Sequence, residues 1–377
     1  MSIVKQCESG WLLDELKFWL KIGMPTKREF YAIEQPFRMD SEQPTKQAMK
    51  QSRKKQALSE LDSSLLVTLE RLCSEQTSDH CKRSHPVSIL NNNQNNGLAR
   101  RACAECPSTV ETANCGNVPE SVQELRLTPE CFVPKLLPYH VHQNSSKEPI
   151  RVTFGEQRYL IPGCCAFVHG DVRTVKTFTA SYDAIVMDSP WENKSVKRKR
   201  KRCRYNWDVC EQWLATLPLQ RLLAPNGRLF IWCTNNERIQ TCITEQLLPA
   251  WQMRLAAKWH WLKITTGDVP VQDLHSRHSK RPYETIFVAE HESSYKNGDQ
   301  NPLCPKMTLV SVPSAHHSRK PPLNEIISQV QQKEDCEILE LFARQLLPNT
   351  TSIGNQVLTF QHQTCFNDEL FCSNTKK

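Results

Sequence analysis

Beyond Pro149 the chain alternates short apolar runs with helical patterns, and this alternation restricts the possible folds more than any other feature of its 377 residues. Apolar runs at Ala166–His169, Asp183–Met187, Arg228–Thr234, Leu255–Lys263, Thr285–Ala289, Thr308–Val312, Glu337–Phe342 and Val357–Phe360 predict strands. Helices are predicted at Trp207–Leu223, Asn236–Leu248 and Leu323–Gln332. In the last, Leu323, Ile326, Ile327 and Val330 share one side behind Pro321 and Pro322. Ile-, Val- and Phe-rich strands with helices between them predict an α/β, doubly wound sheet over residues 150–365. Ligands of such a sheet belong at the carboxyl ends of its strands.

The amino-terminal part reads differently. Residues 11–22, WLLDELKFWLKI, and the leucine-spaced stretch Gln56–Cys73 predict two amphipathic helices, hence a small, mostly helical region over residues 1–73. Residues 74–118 lack apolar periodicity and include the tract Asn91–Asn96, so a disordered insertion is expected there. A linker over 119–149 and a tail over 366–377 complete the division. Cys103, Cys106 and Cys115, with His80, Cys81 and His85 upstream, do not form two well-spaced ligand pairs; unliganded thiols are expected, and no metal.

Bulk properties narrow the class. No window reaches 18 apolar residues, and Lys5, Glu8, Asp14, Glu15 and Lys17 interrupt the amino terminus, so neither a spanning helix nor a secretory signal is expected. Seventeen scattered cysteines then read as reduced thiols in the cytosol or nucleus. Of the net charge of +8, seven units come from Lys197, Arg198, Lys199, Arg200, Lys201, Arg202 and Arg204. Taken alone, such a run is a solvated linker or an import signal.

Its neighbour changes that reading. At the end of the run Asp183–Met187 stand Asp188, Ser189, Pro190 and Trp191, where the sheet rule expects a ligand. The exocyclic amine of a nucleobase is a poor nucleophile because its lone pair is delocalised into the ring. A carboxylate and a backbone carbonyl around its two N–H bonds favour pyramidalisation and localise that pair. Asp188 is the first acceptor and the Ser189 carbonyl the second, turned outward because Pro190 disfavours the helical region for Ser189. Trp191 offers a face on which an extruded base can stack. An ordinary strand-to-turn segment with Trp191 in the core is the alternative.

The tetrapeptide resembles the catalytic motif of the amino-methyltransferases, Asp or Asn, Pro, Pro, aromatic. More specifically, the chain resembles the MT-A type eukaryotic N6-adenine methyltransferases and, within them, the branch called methyltransferase-like protein four. The blocks that carry this are Asp188–Val196, WHWLK at Trp259–Lys263, RPYE at Arg281–Glu284, SRKPPL at Ser318–Leu323, ELFAR at Glu340–Arg344 and GNQ at Gly354–Gln356, in family order. Two departures stand out: Ser189 replaces the first proline, and Asn349–Ile353 lacks the tryptophans usual in relatives.

The resemblance implies a permuted Rossmann-like methyltransferase sheet, with the catalytic tetrapeptide before ELFAR, and S-adenosylmethionine as methyl donor. Family cofactor contacts correspond to Asp171 and Val172 near the adenine, Asp188 near the methionine end, Lys320 near the carboxylate, Phe342 and Arg344 beside the nucleoside, and Asn355 and Gln356 toward the ribose. The basic loop, Asn193, Lys194 and Lys197–Arg202, then lies at the mouth of the active site as a phosphate clamp, with Lys280, Arg281 and Tyr283 as a second cluster. Trp259 and Trp261 share a strand face and read as core, and Glu340 reads as structural support. The implied substrate is RNA, in particular 2′-O-methylated adenosine of small nuclear RNA. The alternatives are adenine in DNA and a non-catalytic nucleic-acid binding homologue. A nuclear location, possibly cytoplasmic as well, and no obligate protein partner complete the expectation.

Overall fold

The computed structural model describes residues 2–34, 36, 59–73, 96–104, 118–191, 213–274, 281–292, 303–316 and 318–367. Its strands are β1 Ile3–Cys7, β2 Gly10–Leu13, β3 Gln123–Arg126, β4 Cys131–Val133, β5 His140–Asn144, β6 Ile150–Phe154, β7 Gln157–Ile161, β8 Cys165–His169, β9 Tyr182–Met187, β10 Leu223–Cys233, β11 Met253–Lys263, β12 Tyr283–His291, β13 Thr308–Ser311, β14 Ile338–Leu341 and β15 Thr350–Gly354. Twelve form one sheet in the order β1-β2-β13-β11-β12-β10-β9-β14-β15-β8-β5-β3, and β4-β6-β7 form a small second sheet.

Period-two alternation explains why the central strands are buried on both faces. In β9, Ala184 and Val186 enter a core with Trp232, Trp259 and Trp261. Ile185 and Met187 point the other way, into a core with Leu229, Ile231, Leu339 and Leu341. The strands β8, β15, β14, β9 and β10 run parallel, while β12 is antiparallel to both β10 and β11. This is the expected doubly wound sheet. The permutation is visible in its centre, where β9 pairs with the much later β14, Met187 opposite Leu341. From β9 the chain moves on to β10 on one side, and from β14 to β15 on the other. The boundary between β9 and β14 is therefore the point where the winding reverses.

Several expectations are corrected. Trp11–Leu13, read as the start of a helix, belong to β2, which pairs parallel with β13; the helix begins at Glu15, with the Asp14 side chain accepting from the Lys17 N–H at 3.1 Å. Pairing across three hundred residues outweighs local helical spacing here. The amino-terminal region is thus the edge of the main sheet, with the helix Glu60–Cys73 laid on it through Leu65, Leu69 and Leu72. The expected linker 119–149 contributes β3 and β5 to the main sheet and β4 to the small one.

Within the expected disordered insertion, Gly97–Ala104 is a helix, its small Ala99 buried beside Ile33 and Val271. Asn91–Asn95, Cys106 and Cys115 lie outside the described residues. Among the described residues the last strand is Thr350–Gly354, not Val357–Phe360, whose Val357 and Leu358 are buried in turns. Of the predicted helix Trp207–Leu223, Trp213, Leu214 and Leu219–Leu222 are helical among the described residues. The helix Asn324–Gln331 forms as expected.

Candidate active site at the carboxyl ends of the strands

Asp188 is the first residue past β9, and its N–H still donates to the Leu341 carbonyl of β14 at 3.3 Å. Its carboxylate, with 18% of the side chain exposed, lies 3.7 Å from Lys320 Nζ and 3.9 Å from Arg344 Nη1. Burial raises its pKa above the ordinary carboxylate value, against the pull of Lys320 and Arg344. Arg344 reaches it because Phe342, just past β14, takes a left-handed φ of 62°. A bulky residue adopts that conformation only where its surroundings enforce it. Here the Ala343 N–H donates to Ile353 O at 3.0 Å, and Gly354 packs so closely that a Cβ would sit 2.5 Å from Ala343 O.

The cations belong to a chain of alternating charge. Glu284, near the start of β12, bonds both Lys320 and Lys263, the last residue of β11. Burial alone would raise the Glu284 pKa; Lys320 and Lys263 instead hold it down to about 2. Lys263 also lies 4.5 Å from the Trp261 ring centroid, and Lys320 5.3 Å from that of Trp232. The order Lys263, Glu284, Lys320, Asp188, Arg344 thus runs along one edge of the sheet. Sequence reasoning placed Lys263 and Glu284 only inside the WHWLK and RPYE blocks and gave them no role. Their signal was a charge close to the end of each of two largely apolar strands.

Beneath this row, Glu340 of β14 stands opposite Val186 of β9 and Ser352 of β15. One of its buried carboxyl oxygens makes no hydrogen bond, and neither does the buried Ser352 hydroxyl. Burial, with the nearby Asp188 charge, pushes the Glu340 pKa up to about 8. The support expected of Glu340 therefore does not come from a hydrogen-bonded partner.

The remaining cofactor positions gather at the ends of β8 and β15. His169 Nε2 and Asn355 O are 3.1 Å apart, and the Gly170 N–H donates to Gly354 O at 3.3 Å, so the Asp171–Val172 and Asn355–Gln356 pairs adjoin. Asp171 was expected to accept from a base. Instead it caps the 3-10 turn Val172–Thr177, accepting from the Arg173 N–H at 2.8 Å, and takes a bidentate contact from the Arg173 guanidinium at 3.0 and 2.8 Å. The local turn thus supplies donors to both carboxylate oxygens. Val172 is buried and Gln356 exposed.

The assignments of Trp191, Arg281 and Tyr283 are revised. Trp191 is 7% exposed within the core, and its indole N–H donates to Trp232 O at 2.6 Å. A buried indole needs such an acceptor, and the satisfied ring presents no open face for stacking. The Ser189 carbonyl accepts from the Trp191 N–H at 2.8 Å, which turns one of its lone pairs into the chain; Pro190 is exposed. Arg281 donates to Leu274 O at 2.8 Å and lies 3.4 Å from the buried Asp62, while Tyr283 packs with Leu65, Leu69 and Leu72. Both hold the helix Glu60–Cys73 in place. Asn193, Lys194, Lys197–Arg202 and Lys280 lie outside the described residues. Among the described residues no cluster of three His, Cys, Asp or Glu is placed to hold a metal, and no helix is long and apolar enough to cross a membrane.

An acidic residue flanked by two cations at the switch point of a permuted sheet defines a class: a Rossmann-like methyltransferase fold. Residues 182–356 match the MT-A70 family model. The chain is similar to METTL4 proteins. It is 38% identical over 235 residues to the human N(6)-adenine-specific methyltransferase METTL4, an alignment that covers 60% of this chain and 48% of the relative. The chain therefore spans about half the length of the human protein it matches. The Caenorhabditis elegans DNA N6-methyl methyltransferase is 28% identical over 367 residues, 94% of this chain and 97% of its own. The Cryphonectria parasitica N6-methyladenosine RNA methyltransferase MTA1 is 34% identical over 209 residues, 53% and 60% respectively.

Proposed function

We propose that the chain is an S-adenosylmethionine-dependent methyltransferase acting on the N6 amine of adenine in nucleic acid. The observation that carries this reading is Asp188, held at the switch point between Lys320 and Arg344. The donor set suits S-adenosylmethionine, whose amino-acid end carries both charges and whose sulfonium is cationic. Lys320 and Arg344 can meet a carboxylate, Asp188 and the orphaned oxygen of Glu340 can meet cationic and N–H groups, and the amides of Asn355 and Gln356 suit ribose hydroxyls. When bound, the donor supplies an electrophilic methyl group on sulfur. The chain's own task is to accept from the adenine amine through Asp188, whose charged form Lys320 and Arg344 favour against burial, and so leave the nitrogen lone pair directed at that methyl. The Ser189 carbonyl serves as second acceptor through the lone pair that its turn leaves over.

The finer reading is RNA, in particular 2′-O-methylated adenosine of small nuclear RNA, in the nucleus. The basic run 197–202, directly after the catalytic segment, supports a polyanionic substrate, and the fungal relative is named for RNA. DNA is the second reading, favoured by the worm relative whose alignment covers 94% of the chain. Methyl transfer to matched oligonucleotides decides: RNA with a 2′-O-methyladenosine, the same RNA without it, and DNA. Faster transfer to the first supports the proposal. Preference for DNA overturns the substrate, and transfer to none of the three overturns the activity.

A further inference from the structure

The residues just behind the two active-site cations are buried and joined. Arg319 precedes Lys320 and Gln345 follows Arg344; Arg319 Nε donates to Gln345 Oε1 at 3.3 Å, and Gln345 Nε2 donates to Lys320 O at 3.1 Å. Arg319 is 3% exposed, yet its two terminal nitrogens make no hydrogen bond. Its guanidinium is instead enclosed by aromatic rings, 4.7 Å from the Trp19 centroid, 5.2 Å from Phe360 and 6.0 Å from Tyr31. Burying a guanidinium without hydrogen bonds at its tips requires a strong alternative, and enclosure by π faces is one. The buried Glu15 adds a nearby carboxyl whose pKa burial raises to about 7 despite the opposing Arg319 charge. Trp19, Tyr31 and Glu15 all come from the first 31 residues, outside the segment 182–356 that matches the family.

We propose that Arg319 is a positioning residue, through which the amino-terminal helix Glu15–Lys21 sets where Lys320 stands relative to Asp188. The backbone before it supports this role. Ser318 holds a left-handed φ of 70°, and its carbonyl faces Arg344 Nη1 at 3.5 Å, so the turn has one narrow geometry that the caged Arg319 keeps in place. Loosening the cage should therefore act on the ligand group that Lys320 meets and spare the rest of the pocket. The inference rests on the proposed donor reading, in which Lys320 meets the donor's carboxylate.

The test measures binding of S-adenosylhomocysteine and of 5′-methylthioadenosine, which lacks the amino-acid end, to the full chain and to Arg319→Lys and Trp19→Phe. The expected result is a loss of about five- to tenfold for S-adenosylhomocysteine, with 5′-methylthioadenosine changed by less than about twofold. Equal losses for both ligands, or no loss in either variant, overturn the positioning role. If Arg319→Lys does not fold, Trp19→Phe decides alone, since it trims the cage from a different element and keeps an aromatic ring. If the unsubstituted chain binds neither compound, the donor reading fails first and the inference falls with it.

Discussion

At the scale of single residues, Glu284 ties the site together. It bonds both Lys263 and Lys320, and all three are largely buried. Removing its charge takes the ion-pair partner from Lys263 and leaves Lys320 only the longer contact to Asp188 at 3.7 Å, so Glu284→Gln should destabilise the fold by about 3–5 kcal/mol. The pH dependence follows from its pKa, about 2 in the folded chain against an ordinary 4.5. A depressed carboxylate stabilises the fold above the unfolded value, and that contribution fades as pH falls from about 4.5 toward 2. In urea unfolding at a series of pH values, the gap between the unsubstituted chain and Glu284→Gln should be widest near neutrality and narrow in acid. A gap that stays constant would mean the carboxylate is not the source. The same scale shows what Trp191 does: it is a strut whose N–H is spent on Trp232 O, and it supports the Asp188 turn from behind.

Individual elements differ in how plainly the sequence announced them. β9, β10, β11 and β14 were legible because each is a run of apolar residues buried on both faces, and Asn324–Gln331 because its apolar residues recur at helical spacing behind two prolines. β15 was not, since Thr-Thr-Ser-Ile is polar and its burial between β14 and β8 comes from sheet order alone. β2 was misread because Trp11, Leu12 and Leu13 fit a helix as well as an edge strand, and only pairing with β13 decides. Of the candidate site, Asp188, Lys320 and Arg344 were legible from the motif blocks, and they meet. Arg281 and Tyr283 looked like substrate contacts because a basic-aromatic pair reads the same on a surface and under a helix. The basic run 197–202 is an element with its own prediction. Replacing its six cations by Ser should weaken RNA binding and flatten the salt dependence by up to about four units of log–log slope. An unchanged slope would remove it from the interface.

On the scale of the whole molecule, permutation and edge extension work together. The winding reverses between β9 and β14, which sets Asp188 beside Arg344, while β1 and β2 extend the sheet beyond β13 and bring the helix Glu15–Lys21 to the loop that carries Lys320. Parts far apart in the chain thus converge on one edge of a single sheet. The central claim is that the Asp188 carboxylate at this edge accepts the adenine amine. Single-turnover methyl transfer by Asp188→Asn, with S-adenosylhomocysteine affinity measured on the same preparation, tests it most directly. The account predicts transfer slowed by at least about a hundredfold, with the ligand still bound. Transfer at the unsubstituted rate would contradict it.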